Sequence, residues 1–184
     1  MKRCGWAKND LAIEYHDKEW GVPLHDDQRL FEFLILEGAQ AGLSWDTILA
    51  KRENYREAFD DFDPKKIAKY GDEKFEELIN NAGIVRNKLK INSAIKNAKA
   101  YLAVVEEFGT FDRYIWGFVN GKPIVNKHKK ISDVPAKTEI SDVMCKDLKK
   151  RGFNFVGSTI CYAFIQATGM VNDHVVSCFR YKEV

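Results

Sequence analysis

Between Leu89 and Val105 the apolar residues Leu89, Ile91, Ala94, Ile95, Ala98, Tyr101, Leu102 and Val105 recur at helical spacing. They keep one apolar face for roughly five turns, which only an amphipathic helix can bury. The same period governs most of the chain after Asp27, alternating Val-rich strands are scarce and no internal repeat is present. The fold class is therefore all-α.

Local punctuation divides that pattern. A helix carrying Leu30, Phe31, Leu34 and Ile35 runs into Glu37-Gly38, and a second begins at Ser44-Trp45 and carries Ile48, Leu49, Tyr55 and Phe59. Asp63-Pro64 supplies a cap followed by proline at the first helical position, predicting a short helix to about Lys69. Gly71-Asp72 opens a helix with Phe75, Leu78 and Ile79, which Gly83 ends by taking the left-handed conformation. Thr110 caps a helix that Asn120-Gly121 stops, and Ser141 caps another running to Gly152. Residues 121–137, with two prolines and Lys127-His-Lys-Lys130, read as an exposed loop. Phe153 to Val156 reads as extended, Ser158 starts an apolar helix ending at Gly169, and Asn172 or Asp173 caps a last short helix carrying His174 and Cys178.

With 184 residues, 45% of them hydrophobic, the chain can build the core of one domain spanning 1–184. A net charge of +2 neither requires nor excludes a polyanionic partner, so local charge has to decide. No leader and no bilayer-length apolar run are evident, which predicts a soluble cytoplasmic protein without a membrane partner. Four cysteines are too few for a disulfide scaffold and fit reduced thiols or metal ligands.

Three constellations could carry chemistry. Glu37 lies beside Trp45, and Trp6, Tyr15 and Trp20 crowd the same quarter of the chain, as a stacking pocket with a carboxylate would need; aromatics also simply build cores. The turn Asn81-Ala-Gly-Ile-Val-Arg-Asn87 places Gly83 and Val85 ahead of a helix N-terminus with Arg86, Lys88 and Lys90 close by. That is either an anion cradle for nucleic-acid phosphate or an ordinary helical hairpin with solvated lysines. Cys4 and His16 near one end, with His174 and Cys178 four apart near the other, could close a tetrahedral Cys₂His₂ site, although each could equally be a core thiol or a surface imidazole.

With these residues in hand the sequence resembles, essentially end to end, the bacterial 3-methyladenine DNA glycosylase I family of the helix–hairpin–helix glycosylase superfamily. The blocks that carry the resemblance are Arg3-Cys-Gly-Trp6, Tyr15-His-Asp-Lys-Glu-Trp-Gly-Val-Pro23, Leu36-Glu-Gly-Ala-Gln-Ala-Gly-Leu-Ser-Trp45, Lys51-Arg-Glu-Asn-Tyr55, Lys149-Lys-Arg-Gly-Phe153, Phe155-Val-Gly-Ser-Thr-Ile-Cys-Tyr162 and Val171-Asn-Asp-His-Val-Val176. The resemblance implies one structural zinc held by Cys4, His16, His174 and Cys178, joining residues 1–26 to 170–184. It implies base contacts from Tyr15, Glu37 and Trp45, with Trp6 and Trp20 in the pocket wall, and Glu37 as the catalytic residue. Residues 72–105 become the helix–hairpin–helix, with Gly83, Val85, Arg86 and Lys88 on the DNA backbone and Leu43 filling the gap left by an extruded nucleotide. One departure is Ala12, where the family's Tyr-x-x-Tyr-His pattern carries a tyrosine.

The expected activity is excision of N3-methyladenine from double-stranded alkylated DNA by a monomer. Asn87 to Val105 contains neither Asp nor Glu. Relatives in the superfamily place an aspartate there, and its absence suits a cationic base that departs neutral and needs little help. No lysine is expected at the pocket side of the hairpin, which predicts base removal without strand cleavage. A non-catalytic DNA-binding module would have no use for a carboxylate among aromatics, and a zinc hydrolase would need an open coordination position.

Overall fold

Side-chain caps set most of the helix starts. In the computed structural model, which describes residues 1–184, a side-chain oxygen accepts a first-turn N–H at Asn9 for α1 (Asp10–Lys18), Asp26 for α2 (Asp27–Gln40) and Ser44 for α3 (Trp45–Ala58). Asp63 does so for α4 (Pro64–Ile67), which has Pro64 in its first turn, while α5 (Asp72–Asn80) starts at Gly71 without a side-chain cap. Asn87 caps α6 (Lys88–Phe108), Thr110 caps α7 (Phe111–Trp116) and Thr138 caps α8 (Glu139–Lys150). The last helix, α9 (Ser158–Ala167), begins at Gly157. Each side-chain cap is worth about 1 kcal/mol and removes orphan donors from the helix end.

Helix α2 is the axis of the core. Every residue from Leu30 to Ala39 is buried, and the helix packs against α3, α6, α7 and α9. A helix buried all round must meet its neighbours closely, and Gly38 allows this: a Cβ there would lie 3.2 Å from Phe155 Cβ. The charged residue Glu32 is buried on α2 as well, and it is paired. Arg52 Nε of α3 donates to Glu32 at 2.7 Å, Arg52 NH1 to Glu19 at 2.9 Å, and Arg56 Nε to Glu32 at 3.0 Å, so the end of α1 is bound to α2 and α3. Removing Glu32 would leave buried Arg52 with Glu19 as its remaining carboxylate partner and would destabilise this junction.

Two short strands add a parallel pair, β1 (Ile124–Val125) with β2 (Val171–Asn172), in the register Ile124 to Val171 and Val125 to Asn172. Gly169 precedes β2 at φ +70°, and a Cβ there would come within 2.3 Å of the Val22 backbone. The N-terminal segment therefore lies directly on the chain entering β2. No helix is long and apolar enough to cross a membrane.

The all-α expectation stands, with local corrections. Leu89 leaves the apolar face of α6 and is 70% exposed, whereas Ile91, Ala94, Ile95 and Ala98 are buried. Ser141 does not cap α8; it is the third residue of a capping box begun by Thr138. Phe153 to Val156 forms no strand, and Phe155 sits in the left-handed region at φ 55°. Helix α2 runs through Glu37 and Gly38, so the carboxylate belongs to its last turns, and the corner itself is Ala41 to Ser44 with Gly42 at φ +76°. His174 and Cys178 lie on no helix. They flank a turn closed by the Cys178 N–H on Val175 O at 2.7 Å.

Candidate active site and metal centre

The N-terminal aromatics, α2, α3, α9 and the segment before α8 enclose a cavity of about 380 Å³. Its lining is Trp6, Tyr15, Trp20, Glu37, Gln40, Trp45, Ile131, Val134, Ala163 and Gln166. Helix α1 supplies Tyr15, the last turns of α2 supply Glu37 and Gln40, and Trp45 is the first residue of α3. The ring of Tyr15 lies 5.5 Å from Trp45 and 6.2 Å from Trp6, and Trp6 meets Trp20 edge-on at 5.1 Å. All five residues expected at the pocket are thus brought together; Ala12 is buried and lies outside the lining.

Glu37 is only 3% exposed, and burial alone pushes its carboxyl up to about 8. The group is therefore mostly protonated at neutral pH, able to donate and to accept. Burial, together with the Glu37 charge, holds the Tyr15 phenol well above its ordinary value. The indole N–H of Trp45 is buried without a hydrogen-bond partner. Such a site has flat apolar walls and unsatisfied polar groups inside, the arrangement that binds one aromatic heterocycle by stacking and by hydrogen bonds at its edge.

Sequence reasoning missed Gln40, Ile131, Val134, Ala163 and Gln166. Gln40 stands three residues beyond Glu37 on α2, and Gln166 three beyond Ala163 on α9, so helical spacing was an available signal for both. For Ile131 and Val134, inside an apparent surface loop, nothing local signalled a pocket wall.

Behind the aromatic wall, Cys4, His16, His174 and Cys178 are all buried with their donor atoms within 4.8 Å of one another. Sγ of Cys178 lies 3.4 Å from His16 Nε2 and 3.6 Å from His174 Nδ1, and Cys4 Sγ lies 3.6 Å from His174 Nδ1. Sulfur and nitrogen ligands at roughly 2.3 and 2.0 Å from a tetrahedral ion are about 3.5 Å apart, so the spacing fits a metal ion. The outward ring nitrogens are already oriented: His16 Nδ1 pairs with Asp17 at 2.8 Å and His174 Nε2 with Trp20 O at 3.0 Å. Burial lowers His16 and takes His174 to about 4, keeping both imidazoles in the neutral form that ligates. It raises the Cys4 thiol to about 12, so a thiolate there requires a cation among the donors. Trp20 packs on His174 at 4.6 Å and Trp6 on His16 at 5.3 Å, which makes this Cys and His cluster the back support of the pocket.

The hairpin between α5 and α6 differs from the open cradle expected of it. Gly83 is not left-handed; it is small because a Cβ would lie 3.0 Å from both Asn54 Cβ and Asn81 Oδ1. Its N–H donates to Asn81 Oδ1 at 2.8 Å, and the Val85 N–H donates to the Tyr55 hydroxyl at 3.2 Å. Lys90 is turned inward, onto the Ala39 and Ala41 carbonyls. Arg86 and Lys88 remain exposed at the tip, and Leu43 stands 41% exposed on the corner before Trp45.

Comparison with known proteins gives this arrangement its class. A crystal structure of 3-methyladenine DNA glycosylase I superposes with a TM-score of 0.95 at 50% identity, covering 97% of this chain and 98% of that one. A second, of a variant in complex with 3-methyladenine, gives 0.94 at 36% identity and 97% coverage of both chains. The curated DNA-3-methyladenine glycosylase 1 of Escherichia coli (strain K12) is 53% identical over 98% of this chain and 97% of its own length. The fold is that of a DNA glycosylase, a hydrolase of N-glycosyl bonds. The methyladenine glycosylase family model matches residues 6–181, and the chain belongs to that family.

Proposed function

We propose that this enzyme everts N3-methyladenine from alkylated double-stranded DNA and hydrolyses its N-glycosidic bond, leaving an abasic site. The observation that carries the reading is Glu37, a buried carboxyl pushed up to about 8 in a pocket walled by Trp6, Tyr15, Trp20 and Trp45. An N3-methylated adenine is cationic in DNA and neutral once released. Its entry draws Glu37 to the carboxylate, the proton passing to solvent, and the anion then accepts hydrogen bonds from the edge of the base. A neutral adenine cannot supply that charge, and its burial against Glu37 gains less. Stacking on Tyr15 and Trp45 holds the ring while the bond breaks, and departure of a neutral base leaves little for a general base to do. The complex of a relative with 3-methyladenine supports the choice of base.

Residues 1–184 act as one unit in this reading, a monomer working in the bacterial cytoplasm, with 72–105 as the helix–hairpin–helix. Arg86 and Lys88 contact the backbone, Gly83 and Val85 shape the hairpin behind them, and Leu43 fills the gap in the stack after eversion, offsetting part of the few kcal/mol that eversion costs. No lysine is among the pocket-lining residues, which supports base removal without lyase chemistry. Cys4, His16, His174 and Cys178 would hold one zinc, whose four protein ligands close the coordination shell and give it a structural role.

Purified protein incubated with methylated duplex DNA tests the reading. Free 3-methyladenine should appear by chromatography, and strands should break only after added heat or alkali. Absence of released base, or nicking without that treatment, would contradict it.

A further inference from the structure

Residues 126–134 are not the free surface loop that Lys127-His-Lys-Lys130 implies. Asn126 N–H donates to Asn172 O at 3.1 Å, and Val176 N–H donates to His128 O at 2.9 Å. Buried Asp173 accepts from Asn126 Nδ2 at 2.6 Å and pairs with His128 Nε2 at 3.0 Å on one oxygen; on the other it accepts from Tyr162 at 2.6 Å and Gln166 at 2.8 Å. Gln166 lines the pocket, and Ile131 and Val134, just beyond the lysines, form part of its wall. The segment is a strap, tied to the chain that bears the metal ligands and laid along the pocket.

On its outer side Lys127, Lys129 and Lys130 are exposed and enter no ion pair, while His128 between them is turned inward. The nearby Asp133 carboxylate is engaged by the Lys129 and Lys130 amides at 3.1 and 2.9 Å. The hairpin is shorter of cations than its sequence promises, because Lys90 is bound to Ala39 and Ala41 and Lys51 donates to Ala82 O at 3.0 Å. Arg86 and Lys88 are the exposed cations left at that turn, and a strand carrying an everted base also needs charge on the side of the pocket walled by Ile131.

We propose that Lys127, Lys129 and Lys130 form a second phosphate-binding rim, gripping the DNA backbone beside the everted nucleotide where the strap walls the pocket. This rests on the glycosylase reading for the identity of the polyanion as duplex DNA. Each phosphate neutralised releases counterions and steepens the salt dependence of binding by about 0.9 per contact.

The test is binding of the full-length, metal-loaded protein to a duplex containing a tetrahydrofuran abasic analogue, followed by fluorescence anisotropy across a salt series. The K127Q/K129Q/K130Q variant should lose about 2 to 3 from the slope of log K against log salt, with binding of free 3-methyladenine and metal content unchanged. An unchanged slope overturns the proposal. If the triple variant loses free-base binding, the single variants K127Q, K129Q and K130Q are read instead, each expected to lose about 0.9 and each overturning its own contact if it does not. Failure of the glycosylase reading would show separately, as wild-type protein that releases no base from methylated DNA.

Discussion

Lys90, in the first turn of α6, donates its ammonium to the Ala39 and Ala41 carbonyls at 2.7 and 2.6 Å, and so caps the C-terminal end of the helix that carries Glu37. The charge also complements the negative end of that helix, and burial lowers the Lys90 pKa. This side chain joins the start of α6 to the end of the helix that bears Glu37. Lys90→Met should lower stability by about 1–3 kcal/mol, the cost of orphaned carbonyls and a lost charge-assisted bond. It should also slow excision more than it weakens free-base binding, because the corner that presents Leu43 loosens. Lys90→Arg should recover part of both. Thermal melts and single-turnover excision of the two variants check this, and equal behaviour of Met and Arg at wild-type level would remove the role.

Glu37 also makes stability depend on pH in a direction unusual for a carboxylate. Its folded pKa, about 8, lies above the ordinary value of 4.5. Below 4.5 both folded and unfolded forms hold the proton; between the two values only the folded form does, so stability falls as pH rises through that window, by at most about 1.4 kcal/mol per pH unit, and levels off above it. Glu37→Gln removes the titration. The variant should melt higher than wild type at pH 8 and gain little at pH 4.5, measured by thermal denaturation without DNA. A gain that is the same at both pH values would show that Glu37 is not held protonated.

Removal of the metal should release the pocket's back wall. The four ligands join segments more than 150 residues apart, so the binding energy becomes folding energy, of order 10 kcal/mol for structural zinc sites. Metal analysis should find one zinc per chain. Cys4→Ser, or a strong chelator, should lower the melting temperature sharply and shift the tryptophan fluorescence, since Trp6 and Trp20 pack on His16 and His174. Metal-free protein with unchanged melting and emission would contradict this.

What could be read from the sequence was mostly local. Asp63-Pro64, Thr110 and Asn120-Gly121 act on their own neighbours, and they stand where the pattern placed them. The last segment misled for a definable reason. Asn172 Oδ1 does accept the His174 N–H at 3.1 Å, but its amide is tied to Tyr181 O and Val184 O and the Asp173 carboxylate to four side chains, and the backbone here follows those ties and the Cys178 turn with no helix. Gly83 looks like a left-handed stop in isolation, but its need is steric and comes from Asn54, 29 residues away. The pocket aromatics and the four Cys and His residues stand out by type and spacing, but the residues alone leave them open between site and core, and only the family resemblance gives them roles, since Cys4 and His174 meet only in the folded chain. The strap could not be read at all: His128 among three lysines carries no sign that Asp173 will draw it in.

The central claim is that Glu37 selects a base that is cationic in DNA and lets it depart neutral. Single-turnover release of 3-methyladenine from methylated duplex DNA, quantified by chromatography for wild type and Glu37→Gln, tests it most directly. Loss of a charge-assisted hydrogen bond predicts a rate lower by roughly 10- to 100-fold, with the folded, metal-containing protein intact. Release by the variant at the wild-type rate would contradict the account.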